Sequence, residues 1–266
     1  MSDIHVRPAA GSPSTSLVLY GVMPAGETIP EGLKGLGDHP VQVAESAGLL
    51  AVYSASPGTK VRPERRHLSA HQHVVQTLAR QGTVLPVAFG MLFPSVARLA
   101  ALLSEHAEAF IEQAEHIQGR VEMTVRVSIT EENVFQHFVE RSGDLERLRD
   151  RIAAGGAGHD LKMQAGRLFE DLLGARRDEA TYMVDTLLEP VSAEIAPATL
   201  RLEKELVHAA CLVERGRVEE FEAAVMKAAE LFDDSHTFAL SGPWPAHSFV
   251  SLRLSSEGSD SLQGAT

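Results

Sequence analysis

Apolar residues along this chain recur with two periods, two and about 3.6, and the switches between them predict strands and helices. Val121, Met123, Val125, Val127 and Ile129 alternate with Glu122, Thr124, Arg126 and Ser128, a strand with one buried and one polar face. An opening strand covers 17–23, and two short strands lie near 41–44 and 49–54 after a turn-rich stretch. Pro63 suits the start of a helix that carries Leu68, His71, Val75 and Leu78 and ends before Gly82. A strand over 84–89 follows. A long helix over 95–117 then places Val96, Leu99, Leu103, Phe110, Ala114 and Ile117 on one stripe.

Residues 131–158 read as irregular or partly helical, closing on the glycine-rich run 153–158. A helix over 160–188 stops at Pro190. A short strand is predicted at 199–203. Residues 205–213 are apolar on both alternating faces. A helix over 217–232 turns Val218, Phe221, Val225, Ala228 and Phe232 inward. The last strand, 237–240 and 248–254, is interrupted by Ser241-Gly242-Pro243-Trp244-Pro245-Ala246-His247.

This pattern predicts an α+β fold of two domains. The second half reads strand-helix-strand-strand-helix-strand, the ferredoxin-like plan, and sets a C-terminal domain at 119–254. The first half has a similar order plus an extra helix, a mixed α/β sheet domain at 17–118. Polar, small-residue ends at 1–16 and 255–266 are expected to be disordered tails. Strands 121–129 and 205–213 are predicted to be central neighbours that pair in parallel. A strand apolar on both faces needs cover on its second face, from the other domain, the crossover after residue 130, or a partner. A buried helix is the alternative for the same run.

Composition narrows the function. The formal net charge is −12, which argues against phosphate neutralisation on nucleic acid. Cys211, the one cysteine, lies in an apolar run and reads as an inert core thiol. No apolar run approaches the roughly 20 residues that span a bilayer, and residues 1–16 hold no signal-peptide core. A cytoplasmic, soluble protein is expected, with no membrane or nucleic-acid partner. His67 and His71 share a helical face with Glu64 and His73 nearby, but no third ligand is evident and no His-Glu-x-x-His occurs. The glycine run 155–158 lacks a feeding strand and a Gly-Lys-Ser/Thr, and no Gly-x-Ser-x-Gly elbow exists. Catalytic, metal and cofactor residues are therefore expected to be absent.

Two strings stand out. Val84-Leu85-Pro86-Val87-Ala88-Phe89-Gly90 is an apolar run holding a proline and closed by glycine. Gly242-Pro243-Trp244-Pro245 holds the only tryptophan between two prolines, stiff extended residues that argue for a bulge or a sheet edge. Trp244, Pro243, Pro245, Phe249 and Phe89 are the candidates for structural or partner-contact roles, with Trp244 expected to pack onto its own domain.

Together the strings resemble the gas vesicle protein F/L family, with its Leu-Pro-Val-x-Phe-Gly and Ser/Thr-Gly-Pro-Trp-Pro-Pro-Tyr-x-Phe segments. Leu19-Tyr20-Gly21-Val22, 48–54 and 119–125 fit its intermediate strands. The chain departs from the pattern at Ala246-His247, where the family has Pro-Tyr. The resemblance covers about residues 17–254. It implies a non-enzymatic accessory protein in gas vesicle assembly. Its partners would be the main shell protein, gas vesicle protein A, and other accessory proteins, and some family members sit on the gas-facing side. The alternative class is a small-molecule- or metal-binding enzyme or sensor on a ferredoxin-like scaffold, a scaffold that fixes no function by itself.

Overall fold

Leu17–Pro24 (β1) is buried from Val18 to Met23, and a strand apolar on both sides needs cover on both sides. The computed structural model, which describes residues 16–58, 60–155 and 158–251, supplies it. Residues 1–15 of the expected tail 1–16, the expected tail 255–266, residues 252–254 of the last predicted strand, and Gly156 and Ala157 lie outside the described residues. Two units emerge, residues 16–118 with 245–251, and Gly119–Trp244.

In the first unit β1 is central. Its neighbours are Gln42–Ser46 (β2), Leu49–Ala55 (β3) and, after the helix Arg65–Gln81 (α1), the two-residue strands Leu85–Pro86 (β4) and Leu92–Phe93 (β5). The sheet order is β2-β3-β1-β4, with β5 also pairing β1, and every pairing is antiparallel. Val74, Val75 and Leu78 of α1 close over Val18, Tyr20, Leu50 and Val52. Val96–Glu105 (α2) lies against β2 and β3, and Ala107–Ile117 (α3) against β1 and β4.

Three expectations change here. The predicted single helix 95–117 is two, because His106 leaves helical geometry at φ −123° and ψ 22°. Neither glycine nor proline marks that break. Leu68 and Val96, at the rims of their predicted stripes, are each 43% exposed. The predicted strand 84–89 shrinks to β4. Pro86 has no N–H to give the ladder, and one bond, Val87 N–H to the Tyr20 carbonyl at 3.0 Å, continues it.

The second unit is built on Arg120–Ile129 (β6), Glu194–Pro197 (β7), Glu205–Glu214 (β8) and His236–Trp244 (β9) in the order β7-β8-β6-β9. Between them run Val134–Val139 (α4), Gly143–Ala153 (α5), His159–Leu188 (α6) and Val218–Ala229 (α7). Val121 to Ile129 and Val207 to Val213 meet Phe169, Leu173, Val184 and Phe221 in one core. Burying a side chain such as Phe221 stabilises by about 1.5–3 kcal/mol.

β6 and β8 are central neighbours as expected, but they pair antiparallel, with Val125 opposite Ala209. β7 and β8 are consecutive and antiparallel, so β8 runs back against both β7 and β6. The second face of β8 is closed as well, with Ala210 and Leu212 buried. The strand predicted at 199–203 does not form. The Glu205 carboxylate accepts from the Arg201 and Leu202 amides at 2.6 and 3.2 Å, and Arg177 donates to the Glu203 carbonyl at 2.9 Å, so these groups are taken from any ladder. β7 takes that place, beginning five residues earlier.

Candidate functional site

The Gly-Pro-Trp string ends an edge strand. Among the described residues β9 pairs with β6 alone, Ser241 opposite Thr124 and Trp244 opposite Glu122. Gly242 and Pro243 thus face Met123 alone, a bulge of two residues against one. Gly242 has φ +136°, and a Cβ there would meet the Glu122 carbonyl at 2.9 Å and Met123 Sδ at 2.7 Å. Pro243 is exposed and Trp244 half-buried, its indole N–H donating to Ser241 Oγ at 3.3 Å. Both readings made of the proline, bulge and edge, hold at once. The strand predicted on either side of an interruption instead runs unbroken to Trp244.

Pro245 is where the chain rejoins the first unit, directly after Trp244. Pro245 and Ala246 are buried there, and a short turn of helix over His247–Phe249 buries Phe249. The Ser251 N–H donates to Gln113 Oε1 at 3.1 Å. Residues 248–251 therefore belong to no strand.

Phe89 is half-buried in the same unit. Its ring meets His71 edge-on at 5.6 Å, and His71 faces Tyr20 at 5.3 Å. His71 Nε2 lies 3.0 Å from the Val87 carbonyl, so that nitrogen carries the proton and donates. Nδ1 is buried and, among the described residues, has no hydrogen-bond partner. Burial, opposed by that bond and assisted by nearby His247, holds the His71 pKa below its usual value. The imidazole thus straps α1 to the Leu-Pro-Val-x-Phe-Gly segment in its neutral form.

Next to it lies a network that sequence reasoning missed. Tyr20 OH shares a 2.7 Å hydrogen bond with Ser54 Oγ and accepts the Leu36 N–H at 2.8 Å. Burial raises the Tyr20 pKa. The only signal in the sequence is a polar group inside each of two otherwise apolar strands.

The metal candidates are directed elsewhere. His67 Nδ1 lies 3.0 Å from the Arg62 carbonyl, Glu64 pairs with Arg66 at 2.9 Å, and His71 faces the core. Among the described residues no three His, Cys, Asp or Glu side chains are grouped to hold a metal ion. Burial pushes the Cys211 thiol up to about 12, which keeps it protonated. In the second unit His236 joins Asp233, 2.7 Å from Nδ1, and Arg176, 3.1 Å from Nε2. Since guanidinium only donates, Nε2 is the acceptor and Nδ1 carries the proton. His137 pairs with Glu131 at 3.0 Å, and its pKa is lowered by burial and by Arg141. These groups tie loops to helices, and among the described residues they form no convergent nucleophile and base. No helix among the described residues is long and apolar enough to cross a membrane.

An edge strand ending in a Gly-Pro-Trp bulge and a proline-broken strand strapped by a buried histidine describe a scaffold that presents rigid segments. The family model for gas vesicle synthesis protein GvpL/GvpF matches residues 16–251, both strings included. The chain belongs to that family, whose members serve gas vesicle assembly. It is 30% identical over 241 residues to gas vesicle protein F of a Streptomyces species, covering 88% of this chain and 99% of that one. Gas vesicle protein L of the same organism is 26% identical over 84% of this chain and 88% of its own length. The fold matches the crystal structure of the gas vesicle protein GvpF from an Anabaena species with a TM-score of 0.78, at 23% identity, over 90% of this chain and 99% of that one.

Proposed function

We propose that the chain is a non-enzymatic accessory protein that binds the main apolar shell protein, gas vesicle protein A, while the vesicle wall nucleates or grows. The observation that carries this reading is the family match from residue 16 to 251, supported by rigid segments where an enzyme would need convergent catalytic groups. Strongly apolar, self-assembling subunits aggregate unless their faces and strand edges are covered, and an acidic carrier stays soluble while covering them. Other accessory proteins are further partners. The proposed place of action is the cytoplasm and the growing vesicle, on the gas-facing side of its shell. We read the second unit as a ferredoxin-like domain, supported by its order β7-β8-β6-β9 with α6 and α7 as the two crossovers.

Co-expression of the full chain with the shell protein, followed by affinity capture, tests the binding. Shell protein retained with the full chain supports the proposal, and a chain captured free of it refutes it. Trp244 and Pro243 at the bulge, and Phe89, Pro245 and Phe249 in the first unit, are proposed as structural supports of the presented segments. Trp244→Ala is therefore expected to lower the thermal midpoint and lose capture only in consequence. Lost capture at an unchanged midpoint would make Trp244 a direct contact instead.

A further inference from the structure

We propose that the outer edge of β9 is a docking site for an extended, uncharged or basic segment of another protein, which adds to the sheet as a fifth antiparallel strand. This goes beyond the assembly reading and does not rest on it. Backbone geometry fixes which groups face outward. The Thr130 N–H donates to the Ser235 carbonyl at 2.8 Å, so Thr130 and Ser235 form a hydrogen-bonded pair of the β6–β9 ladder. Hydrogen-bonded pairs alternate in an antiparallel ladder. Thr237, Ala239 and Ser241 therefore bond inward to β6, while Phe238 and Leu240 turn their N–H and C=O groups away from it. Among the described residues these outward groups meet no backbone partner.

Side chains show the same opening. Phe238 and Leu240 stand opposite Val127 and Val125, which are fully buried under the helices. Leu240 is still 36% exposed and Phe238 only half-buried, so the apolar layer runs out at β9. Edge strands are ordinarily guarded by lysine, by an inward charge or by proline. From His236 to Ser241 the strand has no Asp, Glu, Lys or Arg, and the bulge at Gly242 and Pro243 guards only its far end. A row of alternating donors and acceptors is satisfied in full by an extended chain, which selects a strand as the occupant.

Charge selects which strand. Gly119–Trp244 holds 24 acidic against 15 basic residues. The edge opens beside Asp233 and Asp234. Asp233 is engaged by Ser235 and His236, and Asp234 is exposed. A second copy would bring the same negative field, whereas a neutral or basic segment is attracted.

A capped peptide with the sequence of residues 124–129 is a suitable probe, since it alternates apolar and polar residues, carries one arginine, and matches the strand that β9 already pairs with. Amide hydrogen exchange of the isotope-labelled full chain is followed by NMR with and without it. The amides of Phe238 and Leu240 are expected to slow by about tenfold or more, with Thr237 and Ala239, already bonded to β6, unchanged. Leu240→Pro removes an outward N–H and spares the inner ladder, so it should abolish the slowing while Ala239 stays protected. Leu240→Lys, which keeps the backbone, should abolish it as well. Unchanged exchange at Phe238 and Leu240 in saturating peptide would overturn the proposal, as would slowing that survives both substitutions. A peptide-free protein that sediments as a dimer and is split by Leu240→Pro would also overturn it, by making a second copy the occupant.

Discussion

Replacing Gly242 by alanine isolates the bulge in a single methyl group. The backbone there sits at φ +136°, a region that L side chains rarely enter. Holding alanine in it costs about 1–3 kcal/mol. The new Cβ would lie 2.9 Å from the Glu122 carbonyl and 2.7 Å from Met123 Sδ. Overfilling of this kind adds about 1–3 kcal/mol. Met123 can swing its thioether aside, but the Glu122 carbonyl is fixed in the β6 backbone. The expected loss is therefore about 2–6 kcal/mol, and adding Met123→Ala should recover only part of the packing component. Urea unfolding followed through Trp244, the sole tryptophan, reads the event within two residues of the change. The variant should unfold earlier and its native emission should shift as the indole loses its place beside Ser241. A stability within about 0.5 kcal/mol of the parent, the range of an ordinary surface substitution, together with unchanged emission would refute the reasoning.

Two further outcomes follow from the first unit. Tyr20→Phe removes the hydroxyl that accepts the Leu36 N–H and bonds Ser54, stranding the buried Leu36 N–H and leaving Ser54 Oγ only its bond to the Ala55 carbonyl, and should cost about 1–3 kcal/mol by chemical denaturation. His71 is held neutral in the fold, so the unfolded chain binds its proton more readily. Its contribution to stability is present above the unfolded pKa of about 6.5 and is lost as pH falls toward the lowered folded value, with a slope of at most about 1.4 kcal/mol per pH unit. His71→Gln keeps a donor for the Val87 carbonyl without the titration and should flatten the upper part of the acid limb of a stability-against-pH curve, leaving the parts due to His137 and, at lower pH, to carboxylates held below their usual range such as Glu205 and Asp233. An acid limb identical to the parent's would show that folding leaves the His71 pKa where the unfolded chain has it.

What the pattern of residues revealed depended on whether a local rule carried the information. α1, β6 and α6 were legible because each holds a long single-period stripe. The bulge in β9 was legible because a proline in a strand has few places to go. The break at His106 was not, since the apolar stripe keeps its phase across it and no glycine or proline announces it. Strand polarity is not legible, because apolar alternation carries no direction. The reversal between β7 and β8 sets it, and the apolar pattern places that strand too late in the chain. The Tyr20–Ser54–Leu36 network joins groups up to 34 residues apart, a pairing that only the folded sheet makes. Pro245 was recognised as stiff, but turn chemistry does not say which unit the next residues will join.

That return of the chain at Pro245 has a consequence for synthesis. The second unit occupies one uninterrupted stretch, Gly119–Trp244, and everything it needs has been translated once Trp244 is added. The first unit waits longer. Its sheet strands are all made by residue 93, yet the segment carrying Ala246 and Phe249 arrives only after the intervening 126 residues. At about 5–20 residues per second that delay is roughly 6–25 s, long beside the folding time of most small domains. During it, the first unit stands on the ribosome without the segment that carries Ala246 and Phe249. The domain begun first is thus the one completed last, and nascent chains halted before residue 245 are the form in which its unfinished surface is open to chaperones and to other apolar chains.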